Sequence, residues 1–102
     1  MKGLRQDFES LPRARVITRT TSASGPARED AFDAIPLNIA LERPACTRVT
    51  VHAQDGAALV LSAQDAESAC LAPLTEGGWQ LVFPRDSTRR RFLKHPAAFD
   101  VD

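Results

Sequence analysis

Between Arg48 and Asp65 apolar and polar positions alternate on both sides of an Asp55-Gly56 pair, with Val49, Val51 and Ala53 ahead of it and Leu59 and Leu61 behind it. Period-two alternation flanking Asp-Gly predicts a β-hairpin, and the loop length decides which side chains share a face. A two-residue loop pairs Val51 with Val60 and His52 with Leu59, which mixes polar and apolar side chains on both faces. A three-residue loop, Gln54-Asp55-Gly56, with Gly56 in the left-handed position of a G1 bulge, pairs Val51 with Leu59 and Val49 with Leu61. It gathers Val49, Val51, Ala53, Ala57, Leu59 and Leu61 on one face and Arg48, Thr50, His52, Ala58, Val60 and Ser62 on the other. A slip of one residue would move a strand's whole apolar set to the opposite face, so the segregated register is the expected one.

The same alternation predicts strands over Arg15 to Thr20 and over Trp79 to Phe83, where Trp79, Leu81 and Phe83 oppose Gln80 and Val82. After the Ser/Gly-rich "TSASGPA" a helix is expected. Pro26 suits its first turn, Glu29 and Asp30 its positive dipole end, and Ala31, Phe32, Ile35 and Ile39 fall near helical spacing. Pro36 must end or kink that helix, because an interior proline costs about 3 kcal/mol. If it ends near Ile35, "LNIALE" could add a strand, since Leu37, Ile39 and Leu41 alternate. Ser62, three residues before Asp65, resembles the start of a second helix, with Ala66, Ala69, Cys70 and Leu74 apolar and Pro73 limiting its last turn. Asp86 or Ser87 can cap a short terminal helix that Pro96 stops. The resulting order, strand, helix, strand, strand, helix, strand, is that of a ferredoxin-like βαββαβ two-layer sandwich of the α+β class, with a short C-terminal helix. Residues 1–102 are expected to form one small domain, with residues 1–12 and 95–102 peripheral.

A chain of 102 residues is enough for one modest core. Thirteen basic and thirteen acidic residues cancel overall, but basic ends flank an acidic middle: residues 1–28 and 85–94 are mainly basic, residues 29–84 mainly acidic. No apolar run approaches the roughly 20 residues of a membrane helix. Arg5, Asp7 and Glu9 interrupt any signal-peptide core, so a cytoplasmic protein with no membrane partner is expected.

With helices on one side of the sheet, Arg15, Ile17, Arg19, Arg48, His52, Val60 and Val82 would face outward. Ile17, Val60 and Val82 would form an apolar row rimmed by arginines, as many protein interfaces are built. This points to a non-enzymatic protein-binding or regulatory module whose partner is another protein or a second copy of itself. The alternative is a nucleic-acid-associated regulator in which Arg85, Arg89, Arg90, Arg91 and Lys94, with the sheet arginines, contact phosphates or an acidic partner. A base-stacking platform is missing: the central strands offer Arg15, Ile17, Arg19, Ala58, Val60 and Ser62, and the chain has no tyrosine. Cys46, His52, Cys70 and His95 are acceptable zinc ligands, but their spacing matches no zinc motif, so no metal and two reduced thiols are expected. No nucleophile elbow, phosphate loop or dinucleotide fingerprint occurs, hence no catalytic residue and no cofactor is assigned.

Overall fold

The computed structural model of the chain describes residues 1–22, 24–43 and 47–102. A single 3-10 turn at Phe8–Ser10 precedes β1 (Ala14–Ser22), β2 (Gly25–Pro36), α1 (Leu37–Ala40), β3 (Arg48–Ala53), β4 (Ala58–Ser62), α2 (Ala63–Ser68), β5 (Cys70–Pro73), β6 (Trp79–Val82), β7 (Leu93–Lys94) and β8 (Pro96–Val101). The fold is mostly β. Antiparallel strands in the order β1-β2-β5-β6-β7 form a curled half-barrel, and β4-β3-β8 form a second sheet.

The β3–β4 hairpin has the three-residue loop and the segregated register: Val49 pairs with Leu61 and Val51 with Leu59. Gly56 sits at φ 92°. Val49, Val51 and Leu61 are buried, while His52 and Val60 are exposed.

The ferredoxin-like architecture does not form, because the segment expected to be its first helix is the strand β2. Arg28, Asp30, Phe32 and Ala34 alternate with Glu29, Ala31, Asp33 and Ile35, and β1 pairs with them continuously from Ala14↔Ala34 to Thr20↔Arg28. Ser22 and Gly25 therefore close a hairpin turn, not a strand-to-helix connection. Pro36 marks the strand's end, and "LNIA" winds into the single turn of α1 directly after it.

The second expected helix is real but shorter. Ser62 accepts a hydrogen bond from the Asp65 N–H at 3.0 Å, which satisfies one of the open amides at the helix start. Extended backbone at Ala69 then ends α2, and Cys70–Pro73 pairs with both β2 and β6. In place of a C-terminal helix, residues 84–92 run as an irregular strap, tied to β1 where the Thr21 N–H donates to the Ser87 carbonyl at 2.8 Å.

Two apolar clusters follow from this topology. The main one lies between the sheets, where Ile35, Leu71, Leu81 and Phe83 meet Val49, Val51, Leu61 and Phe99, with Ala40 and Ala66 closing it from the helices. The smaller one fills the concave side of the half-barrel with Ala34, Cys70, Ala72 and Val82, against Val16, Phe32 and Phe92. Burial on this concave side raises the Cys70 thiol above its ordinary pKa by desolvation. The terminal segments are not peripheral: Leu4 and Phe8 enter the main cluster and β8 pairs along β3. Gly3 is needed for this closure, at φ 86° with a Cβ there falling 2.0 Å from the Phe99 carbonyl oxygen. His95, at φ 55°, is the one residue between β7 of the half-barrel and β8 of the other sheet.

Candidate functional site

The residues expected on one binding face are divided among three places. Arg15, Ile17 and Arg19 lie on the outer face of β1, while Arg48, His52 and Val60 lie on the outer face of the three-stranded sheet. Val82 is fully buried in the concave cluster. The row Ile17, Val60, Val82 required β1 and β4 as central neighbours in one sheet, and each is instead an edge strand of its own sheet. Val82 is enclosed because β6 has packing on both faces, which alternation alone cannot signal.

On the three-stranded sheet the charges pair across β3 and β8. The Arg48 guanidinium meets the Asp102 carboxylate, and His52 Nε2 lies 3.1 Å from Asp100 Oδ2. The C-terminal basic cluster is likewise dispersed. Arg89 donates to Asp30 at 3.2 Å and lies over the Phe92 ring. Arg91 is gripped by Asp86 at 2.7 Å and Asp65 at 3.0 Å while covering Phe83. Arg85 and Arg90 are exposed and Lys94 turns to the half-barrel. Of the four residues considered as zinc ligands, Cys46 falls outside the described residues. Among the described residues no three His, Cys, Asp or Glu side chains converge as metal ligands would.

Two features remain as candidates. The first is the edge of β1. Apart from β2, no described residue bonds to its backbone between Ala14 and Thr20, so its outward amides and carbonyls are open. Its outer face presents Ile17, 46% exposed, between Arg15 and Arg19. The neighbouring strand sets Asp33, Ala31 and Glu29 opposite these three, and Arg19 holds Glu29 at 2.9 Å. Its inner face carries Thr18 and Thr20, both buried. Thr18 Oγ1 is a buried side-chain oxygen with no hydrogen-bond partner among the described residues.

The second is a groove of about 480 Å³ at the mouth of the half-barrel, where β2, β6, β7 and the strap converge. Asp30 stands between two guanidiniums, 2.8 Å from Arg28 and 3.2 Å from Arg89. Phe32 forms a wall, and Gln80 and Lys94 lie directly opposite each other on neighbouring strands. Gln80 is only 6% exposed. At the rim, the Glu76 carboxyl is held below its ordinary pKa, chiefly by a hydrogen bond from its own backbone amide. Sequence reasoning did not find this groove. Its signal was present in the alternation of Arg28, Asp30 and Phe32, which a helical reading of β2 scatters around a cylinder. Comparison with known proteins finds no family model, curated protein or solved structure that matches this chain.

Proposed function

We propose that the protein is a protein-binding module that takes an extended acidic segment of a partner along the open edge of β1. The observation that carries this reading is Ile17, exposed between Arg15 and Arg19 on a strand whose outward backbone groups from Ala14 to Thr20 are unused among the described residues. An added strand gains main-chain hydrogen bonds from such an edge, and alternate side chains supply the selectivity. A segment with an apolar residue between two acidic ones, each two positions apart, would meet Ile17 with its centre and the two guanidiniums with its flanks. The Arg19–Glu29 pair is solvent-exposed, so exchanging Glu29 for a partner carboxylate costs little. Self-pairing is the weaker version: antiparallel pairing centred on Ile17 sets Arg15 opposite Arg19 of the second copy, and like charges directly opposite are destabilising.

The test is a titration of isotope-labelled protein with a synthetic extended peptide carrying a Glu-Thr-Val-Thr-Glu core, whose alternate side chains share one face. Amide signals of residues 14–20 are expected to shift saturably, and Ile17→Asp or the double change Arg15→Glu, Arg19→Glu to weaken binding at least about tenfold. Unmoved β1 amides at millimolar peptide overturn the proposal. So does salt-sensitive binding of labelled RNA or DNA by the wild-type protein that the same charge reversal abolishes.

A further inference from the structure

We propose that the groove at the mouth of the half-barrel is a binding site for a small organic acid bearing a single carboxylate, independent of the β1 edge. Gln80 is the first reason. The residue is 6% exposed and lines the groove, and its carboxamide, which bonds to no described residue, is open to the groove and not sealed off like the Thr18 hydroxyl. A carboxamide here offers two donors and an acceptor to whatever occupies the groove, which a leucine of similar volume could not.

The charges define that something. Gln80 pairs with Lys94 across β6 and β7, so the ammonium and the carboxamide share one face at neighbouring positions. Lys94 has no carboxylate within ion-pairing distance among the described residues, and Arg28 and Arg89 divide one carboxylate, Asp30, between them. In all, four basic and three acidic side chains line the groove, a surplus of one positive charge. One carboxylate balances that surplus. A phosphate group, with a charge of about −1.5 to −2, would overshoot it and face the acids at the rim. Guanidinium and carboxamide donors match the planar fork of a carboxylate, and the Phe32 ring offers an apolar wall for the rest of the molecule. A volume of about 480 Å³ lies within the range of small-molecule sites.

The experiment titrates the labelled full chain at pH 7 and constant ionic strength with acetate, lactate and benzoate, and separately with inorganic phosphate, following the Gln80 side-chain carboxamide. Saturable shifts of that signal with at least one monocarboxylate are expected, with phosphate at least about tenfold weaker. Lys94→Ala, an exposed change that leaves the core intact, should weaken the response about tenfold. Gln80→Leu should abolish it while the thermal midpoint holds or rises, the mark of a polar group kept for binding. Shifts that grow linearly without saturation, phosphate binding as tightly as the carboxylates, or undiminished binding by the Lys94→Ala protein would each overturn the proposal. The Glu-Thr-Val-Thr-Glu peptide reports on residues 14–20, so failure at either site is read separately.

Discussion

Arg91 shows how one side chain can do the work of several. Its guanidinium joins Asp86 in the strap to Asp65 in the first turn of α2 and lies 4.5 Å from the centre of the Phe83 ring. The hydrogen bond from Arg91, ahead of the Ser62 cap, holds the Asp65 carboxyl below its ordinary pKa against a smaller opposing effect of burial. A carboxyl whose pKa is lower in the folded state stabilises the fold above its unfolded value, near 3.9, and that stability is lost as pH falls through the folded value. Arg91→Met, which keeps the packing on Phe83, should therefore cost about 1 kcal/mol at pH 7, given that both partners are partly exposed to screening solvent. The deficit should shrink below pH 4. Urea unfolding of both proteins at pH 7 and pH 3 measures it, and an equal deficit at the two pH values would show that packing, not charge, holds the strap.

At the scale of elements, what could be read from the chain was what local chemistry decides. The β3–β4 hairpin was legible because Gly56 and the segregation of Val49, Val51, Leu59 and Leu61 act within a dozen residues, and the start of α2 because Ser62 caps its own amide. β2 was not legible. Pro26, Glu29 and Asp30 suit a helix start as well as a strand, and its apolar residues fit both periods. The pairing need of β1 decided the matter, a tertiary effect outside any window of sequence. The candidate site shared this fate: Arg15, Ile17 and Arg19 lie exposed on β1, but their supposed neighbour Val82 lies inside. Val82→Asp should accordingly cost about 3–5 kcal/mol by burying an unpaired charge. Val60→Asp, at a position 60% exposed, should change stability by less than about 0.5 kcal/mol. Denaturant midpoints of the two variants check the contrast, which a sheet with one wet face would not produce.

Across the whole molecule the two sheets are closed by the chain's own ends. Lys2 bridges to Ala98, Leu4 to Leu41, and Leu4 and Phe8 complete the core from residues far in sequence from its strands. No periodicity announces such contacts, so a reading of the sequence alone leaves residues 1–12 and 95–102 at the periphery. Deleting residues 1–8 removes two large buried side chains, each worth about 1.5–3 kcal/mol, from a domain of ordinarily marginal stability. The truncated chain should lose its cooperative thermal transition in circular dichroism, and an unchanged melt would show that the sheets close without it.

An uncovered ribbon edge also carries a hazard, since it offers every other copy in the crowd a template for endless stacking into fibrils. The guanidinium groups at Arg15 and Arg19 would stand against their counterparts in such a stack, so the feature that would welcome an acidic guest also disfavours in-register pairing between copies.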